Sequence, residues 1–378
     1  VVTGVETESP RGRIALARAV AEGELALEDS VATHWDRCLG CRACEAVCPS
    51  RVRYGRVLEA LRAQPPRSLR RRLRRFARHR LLRIAVGSPW AIRAAGRVLR
   101  GLGDPSVRGA ARRLGLLRVD PLRRAESQLG ERVPAPLPYR NVRVGPGTRG
   151  RTYLFRGCVM DQLFGDVHRA TVRTLARSGW EVVVPREPRC CGALHAHDGD
   201  PEFAATLAKR VIRSFPDDGA PIVVNSAGCG AALREYADWL AEDPVWRQRA
   251  RRFAARIRDY SELLSEGELR LSFPVRATYQ DPCHLAHVQR IREAPRRILR
   301  AIDGLELIET PTADMCCGAA GLYSLLQPSL SDAIAARKLE PIARSGATVL
   351  VTANPGCQLQ FRRAVNTLGL RLEVLHLA

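Results

Sequence analysis

The chain of 378 residues, 46% of them hydrophobic, is long enough for two or three domains with apolar cores. Its formal charge of +22 is carried almost wholly by arginine, since lysine occurs only at Lys209 and Lys338. No zinc-finger, helix-turn-helix or aromatic-interleaved pattern accompanies that charge, which argues against nucleic acid as a partner.

The apolar runs are broken by arginine, as by Arg83 between Leu81 and Ile92, well short of the roughly 18–20 uncharged residues of a membrane-spanning helix. No secretory apolar core opens the sequence. The expected location is therefore cytoplasmic, at most peripheral on the inner face of the plasma membrane.

In chain order, Ser9-Pro10 precedes an apolar-periodic stretch (Ile14, Leu16, Val20) and predicts a capped helix start. A second helix is expected over 54–62. Pro65-Pro66 then breaks the chain, and nine of the seventeen positions from Arg67 to Arg83 are arginine, with Leu69, Leu73 and Phe76 at helical spacing. Two or three amphipathic helices are expected here, divided near Gly87-Ser88-Pro89 and Gly103-Asp104-Pro105. Arg70, Arg71, Arg74 and Arg75 are the candidates for attraction to anionic lipid or to an acidic partner; the alternative is a solvated helix face. Pro134 to Pro138 reads as an extended linker. Gly145-Pro146-Gly147-Thr148-Arg149-Gly150 fits G-x-G-x-x-G but precedes a strand instead of following one, and so reads as part of that linker.

From Thr152 strands and helices alternate. Strands are expected at 153–155, 181–184 and 222–224, with helices over 162–177 and 202–215. The order then returns: strands at 277–279, 305–308 and 349–351, and a helix over 330–343. Such alternation predicts α/β units on parallel sheets, and two copies about 125 residues apart predict a duplicated domain.

All twelve cysteines fall into three sets. Cys38, Cys41, Cys44 and Cys48 form C-x2-C-x2-C-x3-C-P, the bacterial ferredoxin signature, ending at Pro49. Cys158, Cys190, Cys191 and Cys229 form the second set; Cys283, Cys316, Cys317 and Cys357 repeat it. In the repeats, 31 and 32 residues separate the first cysteine from the Cys-Cys pair, and 37 and 39 separate the pair from the last. Each cysteine follows a strand or lies on a loop between strand and helix. In a parallel sheet those loops share one edge, so four distant thiolates can converge there.

Soft thiolates at these spacings favour iron–sulfur clusters. A disulfide framework is disfavoured by chain length and by adjacent Cys-Cys-Gly, and zinc ribbons want paired C-x2-C knuckles. Gly192, Gly318, Gly228 and Gly356 are expected to let backbone approach the sulfur atoms closely. His195, His197, His284 and His287 read as surface or supporting groups more than as ligands, and Asp281-Pro282 as the turn before Cys283. No nucleophilic triad, paired-carboxylate site or flavin site is readable.

These motifs resemble the cysteine-rich CCG domain of heterodisulfide reductase B subunits. Over nearly the whole length the chain resembles the iron–sulfur subunits of glycolate oxidase. The residues that carry the resemblance are Ser9 to Arg13, Arg37 to Glu45 with Cys48-Pro49-Ser50, Asn225 to Gly230, Cys316 to Gly321 and Tyr323 to Pro328. It implies an oxidoreductase complex in which a separate flavin subunit oxidises glycolate to glyoxylate. This chain would pass the electrons through [4Fe–4S] and further clusters toward a quinone-linked acceptor. The implied domains are a partial ferredoxin-like domain at 1–62, an Arg-rich helical region and linker at 63–148, and CCG domains at 149–265 and 266–378.

Two departures stand out. Family members carry two ferredoxin motifs and this chain one, so a further run upstream of Ser9 is expected. Heterodisulfide reductase B subunits end each repeat in C-x-x-C, where Ser226 and Asn354 here replace the first cysteine, leaving four thiolates per repeat and the cluster type open. The alternatives are the same role in an anaerobic glycerol-3-phosphate or lactate dehydrogenase complex, catalysis by this chain as in heterodisulfide reductase, and a zinc-bound or cluster-free scaffold.

Overall fold

The computed structural model describes residues 2–118, 120–129, 133–138, 141–264 and 271–378. The expected boundary between residues 265 and 266 lies outside the described residues.

The N-terminal part is a small helical unit. Helix Pro10–Ala21 starts as the Ser-Pro signal predicts, with the Ser9 side chain accepting from Gly12 N. Helices Asp29–Asp36 and Tyr54–Ala63 close around Val31, Trp35, Tyr54 and Leu58, a satellite core on which Cys38 and Cys44 pack.

The Arg-rich region forms helices Leu69–Val86, Pro89–Gly103 and Pro105–Arg113. Both expected breaks are N-caps: Ser88 accepts from Ala91 N, and Asp104 from Ser106 N and Val107 N, each with proline at the first helical position.

Among the described residues nine strands follow: β1 Val142–Val144, β2 Arg151–Leu154, β3 Glu181–Val184, β4 Ile222–Val224, β5 Ile257–Asp259, β6 Ser272–Gln280, β7 Asp303–Ile308, β8 Val349–Thr352 and β9 Glu373–His376. They build two sheets, ordered β1-β3-β2-β4-β5 and β7-β6-β8-β9. With β2 matched to β6, β3 to β7, β4 to β8 and β5 to β9, the strand orders are identical. The repeats therefore share one topology, and all pairs within it are parallel. β1 adds an antiparallel edge to the first sheet. β4 and β8 are buried on both faces, which explains their unbroken apolar runs.

The linker is not free chain. Leu137 is buried against the first sheet, and its carbonyl accepts from Arg156 at 3.0 Å. The G-x-G-x-x-G segment joins β1 to β2, and a Cβ on Gly145 would lie 2.1 Å from the Trp180 carbonyl.

The arginine helix corrects part of the charge expectation. Arg71 donates to the Asp29 carbonyl at 2.8 Å and pairs with Asp36. Arg75 donates to the carbonyls of Gln64, Ala63 and Gly199 at 2.6, 2.9 and 2.7 Å. Arg78 pairs with Asp198 at 2.7 Å, and Arg83 is bidentate to Asp200. Arg71 and Arg75 are thus internal anchors, tying this helix to the ferredoxin-like unit and the first repeat, and are not available to an outside surface. Among the described residues Arg70, Arg72, Arg74 and Arg80 are exposed on the other face.

Candidate metal centres

In each repeat the cysteines lie beyond the carboxyl ends of the strands, where the sheet edge gathers them. Cys158 opens the short helix after β2, and Cys190 and Cys191 lie on the loop after β3. Cys229 sits in the first turn of helix Ala227–Trp239 after β4. The Cys191 and Cys229 Sγ atoms are 3.5 Å apart. Cys190 is within electrostatic reach of Cys158 and interacts with Cys191 beside it, which brings all four thiols into one neighbourhood.

The second repeat matches. Cys317 and Cys357 Sγ are 3.0 Å apart, and Cys316 lies close enough to Cys283 and Cys317 for the thiols to perturb one another. Among the described residues no three His, Cys, Asp or Glu side chains close on one point as a single-ion site does.

Gly192 and Gly318 have φ of 84° and 85°, and a Cβ on Gly318 would lie 2.7 Å from the Ser331 carbonyl. Only glycine turns the chain there. The turn brings Gly192 N to 3.4 Å from Cys190 Sγ. Gly228 and Gly356 differ from expectation: neither has positive φ, and an added Cβ would meet Asn354 at only 3.5 and 3.4 Å, ordinary contact.

Burial decides the electrostatics of the thiols. Desolvation, with the neighbouring Cys283 and Cys38 adding to it, holds the Cys41 thiol up at about 12, and Cys44 is held at about 11. In the repeats the Cys229 thiol is raised by its hydrogen bond to Cys191 and then by burial, and Cys317 is raised as well. For Cys317 the bond to Cys357 raises the pKa while the bond to Cys316 opposes it. A thiolate in such surroundings needs a compensating cation, so metal loading and proton release are linked. Buried all-thiol sets with a backbone amide on sulfur suit iron–sulfur clusters and fit them better than hard or mixed-donor ions.

The three sets are neighbours. Cys41 lies within electrostatic reach of Cys283 and Cys316. Tyr323 in the second repeat donates to the Arg37 carbonyl at 3.1 Å, beside Cys38. Arg42 pairs with Glu235, tying the ferredoxin loop to the first repeat. The repeats meet at Asn354, whose side chain accepts from Gly228 N at 3.1 Å and donates to Cys357 Sγ at 3.5 Å. The Ser226 side chain lies near Cys229 and holds its pKa down. At the positions where the resemblance to heterodisulfide reductase implies a further cysteine, this chain thus places polar neighbours of the last thiol. Cys48 is half-buried at the end of its loop.

The histidines sit around the sets. His195 is fully buried with Nδ1 3.2 Å from Asp200; His197 Nδ1 is 2.9 Å from Glu59. His284 Nδ1 is 3.5 Å from Cys283 Sγ, and His287 Nε2 is 3.1 Å from the Asp314 carbonyl. Asp281 is bound at 2.8 Å by each of the two terminal nitrogens of Arg296 and so braces the turn into Cys283.

Sequence reasoning missed Lys338, His168 and His376. His168 and His376 bracket Asn225 at the end of β4, at 3.0 Å from its side chain and 3.0 Å from its carbonyl. Burial pushes His168 down to about 3 and His376 down to about 4. Both are neutral when folded and take up protons only on unfolding, so their stabilisation is complete above about pH 6.5 and is lost as pH falls toward those values. Asp259, raised to about 6 by burial, works in the opposite direction but is outnumbered. The midpoint of thermal unfolding of the cluster-free chain is expected to fall steadily between about pH 6.5 and 4. A flat profile there, by circular dichroism, would contradict the assigned neutral histidines.

Family models match the same segments: the cysteine-rich domain at residues 152–234 and 277–362, and the 4Fe-4S binding domain at residues 31–54. The probable glycolate oxidase iron-sulfur subunit of Bacillus subtilis (strain 168) is 38% identical over 99% of this chain and 87% of its own length. This chain belongs to the glycolate oxidase iron–sulfur subunit family. The glycolate oxidase iron-sulfur subunit of Escherichia coli (strain K12) is 31% identical over 96% of this chain and 86% of that one. Lactate utilization protein A of Exiguobacterium sp. is 33% identical over 60% of this chain and 94% of its own length. As a member of this iron–sulfur subunit family, the chain is an electron-transfer component of an oxidoreductase complex. Among the described residues no helix is long and apolar enough to cross a membrane.

Proposed function

We propose that this chain carries electrons from a flavin-bearing partner that oxidises glycolate to glyoxylate toward a quinone-linked acceptor. The proposed ligands are Cys38, Cys41, Cys44 and Cys48 in the ferredoxin-like unit. Cys158, Cys190, Cys191 and Cys229 would serve the first repeat, and Cys283, Cys316, Cys317 and Cys357 the second. The division at 1–62, 63–148, 149–265 and 266–378 belongs to the same reading. Clusters bound there would supply one-electron carriers. The protein's own work is to hold the thiolates, exclude water and keep the sets adjacent.

The observation that carries the reading is the proximity of Cys41 to Cys283 and Cys316, which joins the ferredoxin-like set to a repeat set. The test is glycolate-dependent reduction of a soluble quinone by the reconstituted complex, with and without this chain. Equal rates in its absence would overturn the proposal. A lactate-linked complex is the second reading, favoured by the likeness to lactate utilization protein A. Activity with lactate and none with glycolate would select it. Catalysis by this chain in the manner of heterodisulfide reductase is disfavoured by Ser226 and Asn354 at the fifth positions.

The exposed side of helix Leu69–Val86 supports peripheral attachment to an anionic membrane surface. Leu69, Leu73, Phe76 and Ile84 share its outward face and are 68%, 60%, 64% and 58% exposed, and Trp90, in the first turn of the next helix, is 65% exposed. Arg70, Arg72, Arg74 and Arg80 flank that stripe, and no Asp or Glu occurs between Arg67 and Gly103. An apolar stripe rimmed by arginine, followed by an exposed tryptophan, is the pattern of a helix lying in the headgroup region.

Each engaged arginine contributes about 1 kcal/mol at low salt. Replacing Arg70, Arg72, Arg74 and Arg80 by Gln is expected to weaken sedimentation with phosphatidylserine vesicles by at least tenfold and leave iron content unchanged. Retained vesicle binding would contradict a lipid surface. Loss of binding to the flavin subunits instead would assign this face to a protein partner.

A further inference from the structure

Lys338 is fully buried in helix Pro328–Arg344, beneath the loop that delivers Cys316 and Cys317. Its Nζ donates to the carbonyls of Thr312, Ala313 and Met315 at 2.6, 3.1 and 2.5 Å. Three carbonyl acceptors around one nitrogen take all three N–H donors of an ammonium, whereas a neutral amine has only two. Burial pulls its pKa down, and the three acceptors, which match the three donors of the ammonium, favour the charged form against that pull.

A buried cation without a counter-anion is costly. Among the described residues the carboxylate whose charge is felt at Lys338 is that of Asp281, and Arg296 already grips both of its oxygens. The other negative charges that reach the ammonium are the thiolates of Cys316, Cys317 and Cys357.

The first repeat has no such group. The equivalent helices open on Pro201 and Pro328, and their carbonyls at Ala204 and Ser331 approach Gly192 and Gly318 in the same way. Counted from those prolines, Lys338 corresponds to Val211, a buried core residue. Residue choice points the same way. In a chain that uses arginine almost everywhere, lysine stands here, where a compact three-donor charge fits and a planar guanidinium fork does not.

We propose that Lys338 is a positioning residue that supplies the counter-charge of the second-repeat centre, holding the Cys316–Cys317 loop and raising the reduction potential of that centre alone. The inference rests on the assignment of Cys283, Cys316, Cys317 and Cys357 as cluster ligands. One-electron reduction adds one negative charge at such a centre. A fixed ammonium nearby favours the reduced form and its own proton does not move.

The test compares Lys338→Gln, which keeps N–H donors without charge, and Lys338→Met with the wild-type full chain. Iron and acid-labile sulfide are assayed first; absence of iron from the wild-type second repeat would refute the ligand assignment and overturn the proposal with it, whereas full iron with an unmoved potential would overturn the role of Lys338 alone. Dithionite titration followed by electron paramagnetic resonance then reads the midpoints. In Lys338→Gln one signal is expected to move to lower potential by about tenfold in its one-electron equilibrium, about 59 mV, with the others unmoved.

Thermal unfolding supplies a second readout. Loss of the charge is expected to lower the midpoint of the cluster-loaded chain and to spare the cluster-free chain, whose thiols are neutral. Equal destabilisation of both forms, failure of both variants to fold even without cluster, or an unmoved potential would each overturn the proposal.

Discussion

Replacing Cys317 by Ser is expected to remove the second-repeat centre while the ferredoxin-like and first-repeat centres persist. Cys317 is buried against Cys357 at 3.0 Å and is followed by the turn at Gly318 that no other residue reproduces without strain. A serine hydroxyl stays protonated at neutral pH and is a harder donor, so the set drops to three soft ligands. Outer-shell changes at metal sites typically cost about 10–100-fold, and removal of a ligand is expected to cost more.

On the proposed route from a flavin partner to a quinone, electron delivery should therefore fall by at least about 100-fold. Stopped-flow reduction and iron content are the measurements. A Cys317→Ser chain that retains full iron and full turnover would mean that this cysteine is not a ligand.

Asp161→Ala is expected to produce the largest loss of stability away from the thiols. Arg156 is buried, donates to Asp161 at 2.7 Å, and donates to the carbonyls of Leu137, Pro185 and Arg186 at 3.0, 2.9 and 3.0 Å. One guanidinium thus pins the linker, the end of β3 and the turn into Cys158. Removing one partner of a buried pair leaves a charge without compensation, about 3–5 kcal/mol. For a unit of this size that lowers the unfolding midpoint by on the order of 10 °C. Asp161→Asn, which keeps an acceptor, should lose less. Differential scanning calorimetry that finds the two variants alike and near wild type would contradict the account of Arg156 as the fastener of this corner.

Much of the architecture could be read from the sequence where local signals and burial agree. The strands Glu181–Val184 and Ile222–Val224 fall within the expected bounds, because short β-branched runs between turn residues leave little alternative. The helix starts at Ser9-Pro10, Ser88-Pro89 and Asp104-Pro105 follow from capping chemistry. The strands β1, β5 and β9 were not legible. β5 is three residues with Arg258 at its centre, and β9 has an exposed first residue, so pairing across long separations defines them and local pattern does not.

The convergence of each repeat's cysteines followed from topology. The proximity of Cys41 to the second-repeat set did not, because it depends on how the ferredoxin-like unit docks through Arg42, Tyr323 and Arg62, which donates to the His197 carbonyl. Arginine also misled in one respect: a run of arginine reads as a surface, yet Arg71, Arg75, Arg78 and Arg83 point inward onto carbonyls and carboxylates. Lys338 looks like any lysine on an amphipathic helix, and only its rarity in an arginine-rich chain marks it.

The most direct measurement of the central claim is metal and sulfide analysis of the anaerobically purified full chain, taken with its absorption spectrum before and after dithionite. The account predicts a brown protein with iron and acid-labile sulfide in comparable amounts, little zinc, and a visible absorbance that bleaches on reduction. Stoichiometric zinc without sulfide, in a colourless protein, would contradict it.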